Sequence, residues 1–241
     1  MAITGIEYAI FEHVRPQFPS GPAVLQLGEA NWYGDVPLQR LRADLCKYVT
    51  DEQEQKELLE EMARCTPPGA EPNLFDLARV FWRVFVNPSV LVSIDLSGTD
   101  RSLVLDLNEP VELGNKFDLV LNLGTAEHIF NTYQVFKTIH NHTKPGGLMI
   151  HGAPFSGWVD HGFYNFQPTF WWDLAAANGY TVYGIVYAEL NPLILNTIHS
   201  REQLLDMPSR KQLGGNSLLY PIYRKGEADA AFQTPMQGYY A

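Results

Sequence analysis

Residues 117–130 read FDLVLNLGTAEHIF, and residues 144–151 read KPGGLMIH after an intervening segment with helical periodicity. Two apolar runs that flank a helix of this length are typical of a strand, a crossover helix and a parallel strand. The first run ends in a polar and glycine cluster that contains Asn122, Gly124 and Glu127. Because ligands of parallel α/β sheets bind outside the carboxyl ends of the strands, we expect this cluster to lie at a ligand site.

The rest of the chain continues the alternation of strands and helices. This alternation implies a mostly parallel, doubly wound α/β sheet with helices on both faces. Residues 36–86 are long for a single crossover, so we interpret them as a helical insertion that follows strand one and covers the top of the sheet. We expect the tail from Lys225 to be loose. Further strands are predicted at 23–28, 90–96, 103–107, 180–188 and 217–223.

The composition indicates one globular domain that spans residues 1–241. Hydrophobic residues make up 46% of the chain and charged residues 18%, which fits a protein with a substantial core. The net charge of −10 argues against sequence-independent nucleic-acid binding, which requires a basic face. Two cysteines, no signal pattern and no run of roughly 20 apolar residues predict a cytoplasmic protein that does not span a membrane. The sequence gives no oligomeric state.

Three polar strand ends follow one another along the chain. Gly28 follows the first strand, Asp95 ends the second, and Asp106 and Asn108 end the third. A glycine turn lets the backbone approach a ligand closely, and an acid at the end of strand two can accept both hydroxyls of a ribose. A further polar end can bind an adenine amino group. This order predicts a site for a nucleoside-containing cofactor.

These segments resemble the motifs of the class I S-adenosylmethionine-dependent methyltransferases over roughly residues 23–188. VLQLGEANWYGD is similar to the first motif, VSIDLSG to the second, LVLDLNEP to the third and FDLVLNLGTAEHIF to the fourth. The stretch from GTAEHIF to DHGFYNFQPTFWWDLAAANGY resembles an uncharacterised bacterial subgroup that is loosely associated with sugar or surface-polysaccharide modification. The resemblance implies a seven-stranded Rossmann-like methyltransferase fold and S-adenosylmethionine as the cofactor. The cofactor-binding residues then expected are Gly28, Glu29, Ala30, Asp95, Leu96, Asp106, Leu107, Asn122 and Gly124.

The first motif departs from the G-x-G-x-G pattern of the family. Its three positions hold Gly28, Ala30 and Trp32. We therefore expect the methionine end of the cofactor to be held differently, by Asn31 and by the backbone near Gly34.

A loop rich in aromatic residues follows strand five, from His151 to Gln167. Aromatic side chains in a loop favour a binding surface, although a small core that caps the sheet is the alternative. Methyl transfer to a hydroxyl group requires a base, and histidine can serve as one near neutral pH. We predict a small polar acceptor that carries a hydroxyl group, such as a sugar or a secondary metabolite. The catalytic candidates are His151, His161 and His128, and the substrate-binding candidates are Glu127, Trp158 and Tyr164.

Two other functions stay open from the sequence. The altered first motif allows a non-catalytic binding module with a methyltransferase-like fold. No metal is predicted for the helical pair His140 and His142, because helical positions two residues apart point in different directions. A metal-dependent hydrolase would use His128, His151, His161 and Asp160.

Overall fold

The computed structural model describes residues 1–203 and 213–240, and a seven-stranded sheet organises them. The strands are β1 (Ala2–Ile3), β2 (Ala23–Leu27), β3 (Asn31–Trp32), β4 (Val90–Ile94), β5 (Phe117–Leu123), β6 (Thr143–Ser156), β7 (Thr181–Glu189), β8 (Ile194–Ile198) and β9 (Ser217–Arg224). The helices are α1 (Gly5–Val14), α2 (Leu38–Tyr48), α3 (Glu52–Cys65), α4 (Leu74–Phe85), α5 (Thr132–His142) and α6 (Pro168–Ala177), with short 3-10 turns at Arg15–Gln17 and Ala126–His128.

The order of strands across the sheet is β4-β2-β5-β6-β9-β7-β8. Strands β4, β2, β5 and β6 pair in parallel, whereas β9 is antiparallel to both β6 and β7, and β8 is antiparallel to β7. Most of the strands therefore run in one direction, which confirms the predicted α/β fold with an antiparallel edge. Strands β1 and β3 form a separate parallel pair.

The prediction of a strand at 103–107 is wrong. Leu103 makes a single bridge to Ile94, Val104 and Leu105 are exposed, and Leu107 is buried but belongs to no strand. The chain leaves the sheet here because the Asp106 carboxylate accepts hydrogen bonds from the backbone and side chain of Asn108, which closes a turn. The seventh strand of the sheet is instead β8, in a region that the sequence analysis leaves without a strand.

Two apolar layers cover the two faces of the sheet. Val24 points into the layer formed with α1 to α4, whereas Leu25 and Leu27 belong to the layer formed with α5 and α6. This alternation follows from the period of two along a strand. The buried sheet is thereby held from both sides.

The predicted insertion at 36–86 contains helices α2, α3 and α4, and α4 packs on one face of the sheet. Helix α4 packs Phe81 and Trp82 against Phe11 of α1, with ring centroids 5.8 and 4.9 Å apart. These residues belong to the apolar layer on one face of the sheet. The apolar side of α4 accounts for this packing, because burying it removes apolar surface from water.

The tail that begins at Lys225 is packed rather than loose. The Lys225 side chain is buried, and its ammonium group donates hydrogen bonds to the carbonyl oxygens of His140 and Thr143 at 2.8 and 3.0 Å. Further along, the Gln233 amide donates to Asn178 Oδ1 at 2.8 Å.

No helix of the described residues combines the length and the apolar character needed to cross a membrane.

Candidate functional site

The carboxyl ends of β2, β4 and β5 enclose a cavity of about 180 Å³, which we call the small cavity. Its position is the one where parallel sheets bind ligands. Five of the nine predicted cofactor-binding residues line it, namely Gly28, Asp95, Leu96, Leu107 and Gly124.

Gly28 must be a glycine for this cavity to form. Its φ angle is +82°, and a Cβ at this position would lie 2.6 Å from Thr125 Oγ1. The Thr125 hydroxyl is itself fixed, because it donates a hydrogen bond to the Leu27 carbonyl oxygen at 2.6 Å. A side chain at position 28 would therefore meet both backbone strain and a steric clash.

Asp95 has unused hydrogen-bonding capacity beside the small cavity. One carboxylate oxygen accepts the Glu29 amide at 2.7 Å, and the other accepts the Ser97 amide at 2.8 Å. A carboxylate oxygen has two lone pairs, so each oxygen keeps one position for a further donor. This arrangement fits a pair of vicinal hydroxyl groups.

Glu29 does not reach the small cavity and instead holds the surrounding loops together. It is buried, forms an ion pair with Arg79 of α4 at 3.0 Å, and accepts hydrogen bonds from Thr99 and Ser102. Burial alone would raise the pKa of Glu29, but the hydrogen bonds from Thr99, Ser102 and Arg79 hold it below its usual value. The carboxylate thus anchors the loop after β4 to the loop after β2.

Three other predicted cofactor-binding residues are also absent from the lining of the small cavity. Asn122 is buried, where its Oδ1 accepts the Ala126 amide at 3.0 Å and its Nδ2 lies 3.3 Å from His151 Nδ1. Asp106 is exposed in its own turn, and Ala30 is buried in an apolar layer. Each of them shapes the loops around the cavity, and the prediction of direct cofactor contact gains no support from their positions.

A second cavity of about 410 Å³ adjoins the first, and we call it the large cavity. The two share Met1, Gly124 and His128 in their walls. Together they fall within the range of roughly 300–1,000 Å³ that is common for small-molecule sites. Four of the six predicted catalytic and substrate-binding residues line the large cavity, namely Glu127, His128, Trp158 and His161.

Glu127, His128 and His161 form a compact cluster in the wall of the large cavity. Glu127 Oε1 lies 3.9 Å from His128 Nε2 and 3.8 Å from His161 Nε2. Burial raises the pKa of the Glu127 carboxyl to about 7. Burial and the neighbouring His161 lower the pKa of His128, which favours the neutral imidazole at neutral pH. The cluster therefore contains groups that can accept a proton or bind an ion.

The loop that carries His161 is fastened to the turn that carries Glu127. The backbone amides of Phe163 and Tyr164 both donate to the Glu127 carbonyl oxygen, at 2.8 and 3.2 Å. Gly162 permits this approach, because a Cβ there would lie 3.0 Å from the same carbonyl oxygen. These backbone contacts hold the loop that carries His161 beside Glu127.

Comparison with solved structures shows which fold this is. No protein-family model matches the chain, and no curated protein sequence matches it. A Bacillus halodurans C-125 protein provisionally assigned as a methyltransferase aligns over 92% of this chain and 100% of its own, at 10% identity and a TM-score of 0.51. The chain has the fold of the class I methyltransferases.

Two further structures align over similar lengths. The N-methyltransferase NodS from Bradyrhizobium japonicum WM9 covers 92% of this chain and 96% of its own at 14% identity, with a TM-score of 0.44. An S-adenosylmethionine-dependent methyltransferase from Mesorhizobium loti covers 89% and 96% at 13% identity, with a TM-score of 0.46. Scores this low support no inference about the present chain.

Within this methyltransferase fold, His151 lies in strand β6 and not in the loop predicted for it. It is buried, and its ring packs against those of Trp171 and Tyr223 at centroid distances of 5.3 and 5.5 Å. Burial lowers its pKa to about 3. His151 lines neither cavity, so its position gives no support to a role as the base.

Two further predictions about the site are not supported by the geometry. Tyr164 does not line the large cavity, and its hydroxyl donates to the Phe130 carbonyl oxygen at 2.9 Å. The four-residue hydrolase site is not assembled, because His151 is buried in β6 and Asp160 is exposed. Among the described residues, the histidines and acids close enough to share an ion are Glu127, His128 and His161. Glu127 thus stands where the prediction had His151 and Asp160.

The sequence analysis missed the wall of the large cavity that comes from the two ends of the chain. Glu7 of α1 and Tyr220 of β9 both line this cavity, and the Tyr220 hydroxyl donates to the Glu7 carboxylate. Thr4 and Glu7 form a capping box, so the sequence could have placed Glu7 at a helix start. Nothing in the sequence indicates its contact with a tyrosine 213 positions away.

Proposed function

We propose that the protein transfers a methyl group from S-adenosylmethionine to a small polar acceptor. The nucleoside part of the cofactor would bind in the small cavity, and the acceptor would bind in the large one. The observation that carries this proposal is the junction of the two cavities at Gly124 and His128. It joins strand ends suited to a nucleoside to a set of groups suited to proton transfer.

The small cavity offers what the nucleoside requires. The Asp95 carboxylate keeps two acceptor positions that can receive the ribose hydroxyls, while Leu96 and Leu107 provide apolar contacts for a flat ring. When bound, S-adenosylmethionine supplies a methyl group activated by a positively charged sulfur. The contribution of the chain is to hold the acceptor atom in line with that methyl group and to receive a proton.

The large cavity favours a hydroxyl acceptor over an amine. A hydroxyl group must lose its proton as its oxygen attacks, whereas a neutral amine can react before it loses one. Glu127, His128 and His161 supply proton acceptors beside the junction, and the Trp158 ring supplies a surface for an apolar or sugar-like face. We therefore propose a hydroxylated small molecule, such as a sugar or a secondary metabolite, as the acceptor.

We further propose a cytoplasmic location, with which the two free cysteines agree.

One observation favours a second candidate, a non-catalytic binding module. In the loop after β2, Ala30 and Trp32 are buried where the family pattern has glycines, and Trp32 pairs with β1 in strand β3. The glycine backbone that usually surrounds the methionine end of the cofactor is thus replaced by packed side chains. A protein of this kind would bind the nucleoside part without completing the transfer.

Isothermal titration calorimetry with S-adenosylhomocysteine tests the proposal. Asp95→Ala removes charge-assisted hydrogen bonds worth about 1.5–3 kcal/mol, so the Kd should rise roughly 10–100-fold. Asp100→Ala is the matched control, because Asp100 is an exposed acid of the same loop that lies outside the small cavity. No binding by the folded parent protein would refute the proposal, and an unchanged Kd for Asp95→Ala would refute the assignment of Asp95.

Turnover then separates the enzyme from the binding module. The parent protein is supplied with S-adenosylmethionine and with panels of hydroxylated and amine acceptors, and release of S-adenosylhomocysteine is measured. Methylation of hydroxylated acceptors supports the proposal, and methylation of amines alone refutes the preference for oxygen. Tight binding of S-adenosylhomocysteine without turnover on either panel favours the binding module.

A further inference from the structure

We propose that Glu127, His128 and His161 bind a divalent transition-metal ion in the wall of the large cavity. Each residue can offer one ligand atom, and the three atoms lie within 4.8 Å of one another. Two imidazoles and one carboxylate form a ligand set that proteins use for Zn²⁺ and for non-haem Fe²⁺. Mg²⁺ and Ca²⁺ prefer oxygen ligands throughout and fit this set less well.

The two distances from the Glu127 carboxylate need only a small adjustment to fit an ion, and all three ligand atoms lie within 4.8 Å of one another. Tetrahedral ligands about 2.1 Å from zinc lie about 3.4 Å from one another. The carboxylate oxygen of Glu127 is 3.9 Å from His128 Nε2 and 3.8 Å from His161 Nε2. The side chains of His128 and His161 are 43% and 39% exposed and can rotate, whereas the buried side chain of Glu127 is fixed. Closing of the two rings towards the carboxylate would therefore complete the coordination.

An independent observation at Glu127 also points to a ligand. Its second carboxylate oxygen, Oε2, is buried and has no hydrogen-bond partner among the described residues. Burying a carboxylate without partners is unfavourable, and native structures relieve such cases with water or an ion. Since Glu127 lines the large cavity, a cation that enters from the cavity and binds Oε1 would neutralise the buried carboxylate.

The backbone around the cluster is organised to bring these ligands together. The amides of Phe163 and Tyr164 hold the loop on the Glu127 carbonyl oxygen. On the other side of His161, Trp158 and Asp160 adopt positive φ angles of 53° and 61°, which non-glycine residues rarely do. Strained backbone of this kind persists when surrounding contacts enforce it, and it is concentrated at functional sites.

The chemical role of the ion rests on the proposed function. With the ion bound, the three side chains would serve as its ligands in place of acting as proton acceptors. An acceptor hydroxyl bound at the open coordination position would become more acidic and release its proton to solvent. Its oxygen lone pair would then form a bond to the methyl carbon while the carbon–sulfur bond breaks and leaves its electron pair on sulfur. The products are a methyl ether and S-adenosylhomocysteine. The large cavity would thus select acceptors whose oxygen atoms can bind a metal.

Direct metal titration tests the site without any acceptor. Chelator-treated protein is titrated with Co²⁺, followed by visible absorption, and with Zn²⁺, followed by calorimetry. We expect one equivalent to bind, and we expect Glu127→Gln and His161→Asn each to weaken binding by more than roughly 100-fold. His13→Ala is the control, because His13 is an exposed histidine outside this cluster. This variant should still bind one equivalent of metal with the affinity of the parent protein. Circular dichroism and a cooperative thermal unfolding transition establish that each variant is folded.

The outcomes separate this inference from the proposed function. Binding of S-adenosylhomocysteine without metal binding, or equal metal binding by Glu127→Gln, His161→Asn and the parent, overturns the metal site and leaves the methyltransferase proposal standing. Metal binding without S-adenosylhomocysteine binding supports the site and overturns the proposed function. If chelator-treated enzyme methylates a hydroxylated acceptor at the full rate, the catalytic role of the ion is wrong. Loss of turnover that Zn²⁺ restores supports that role.

Discussion

His151 is a histidine held neutral in the interior of the protein. Its Nδ1 faces Asn122 Nδ2 at 3.3 Å, and its Nε2 has no hydrogen-bond partner among the described residues. The rings of Phe136, Trp171 and Tyr223 surround it. A charged imidazolium in these surroundings would lose its hydration without gaining a counterion, which is why burial lowers the pKa to about 3.

This low pKa predicts that acid destabilises the protein through His151. In the unfolded chain the imidazole takes up a proton below a pH of about 6.5, whereas in the folded protein it stays neutral down to a pH of about 3. The unfolded state therefore binds more protons within this window, and the free energy of unfolding falls by about 1.4 kcal/mol per pH unit as the pH is lowered. Between pH 7 and pH 5 the loss from this residue should approach roughly 2 kcal/mol.

Urea denaturation of the parent and of His151→Gln at pH 5, 6 and 7 measures this effect. The variant should be less stable at pH 7, because it loses aromatic packing, but its stability should decrease less as the pH is lowered. The difference between the two pH dependences isolates His151 from the other titrating groups. Parallel pH dependences for the two proteins would show that His151 is not held neutral.

At the scale of single residues, the sequence predicted which residues lie at the ends of strands. It did not predict how deeply a residue is buried. The rule that ligands bind at strand ends identified Gly28, Asp95 and Gly124, all of which line the small cavity. It failed at His151 because β6 continues to Ser156, beyond the apolar run that marks it in the sequence. The length of a strand depends on its neighbours, and here both β5 and β9 pair with it.

The parallel pair β1 and β3 is the smallest element of the fold and closes one side of the site. It consists of two residue pairs, Ala2 with Asn31 and Ile3 with Trp32. Met1, which precedes it, lines both cavities. Pairs this short have little stability of their own, so their order depends on the contacts around them.

We expect S-adenosylhomocysteine to slow hydrogen exchange in residues 1–4 and 31–33. A ligand in the small cavity would contact Met1 and would therefore hold the β1–β3 pair in place. Helices α2 and α3 serve as the internal control, because neither cavity includes a residue of 36–86 in its lining. Protection confined to α2 and α3 would contradict this prediction and would support the predicted role of 36–86 as a cover.

At the scale of elements, segments with a clear apolar pattern were predicted well, and very short or exposed strands were not. Helix α4 was identified from its apolar side and begins at the side-chain cap of Asn73. Strands β1 and β3 were missed because each contains only two residues, and β8 was missed because only one of its five residues is buried. The segment 103–107 shows the converse, since its apolar residues lack a partner beyond one bridge.

In the whole molecule, two apolar layers pack against opposite faces of one sheet. Strand β5 contributes Leu119 and Leu121 to one layer and Val120 to the other. A site at the strand ends is consequently supported by both layers at once. This dependence is why the sequence could predict one domain and a site at its edge, but could not predict which loops close over it.

The shared sheet predicts one cooperative unfolding transition that a cofactor analogue shifts as a unit. A ligand present at about 100 times its Kd stabilises the folded state by about 2.7 kcal/mol. For a chain of this size, each kcal/mol raises the Tm by roughly 2–4 °C, so saturating S-adenosylhomocysteine should raise it by roughly 5–10 °C. Differential scanning calorimetry should show a single peak before and after the addition, with calorimetric and van't Hoff enthalpies in agreement. Two peaks, of which only one responds to the ligand, would mean that residues 1–241 contain two folding units and that the site is supported by one of them.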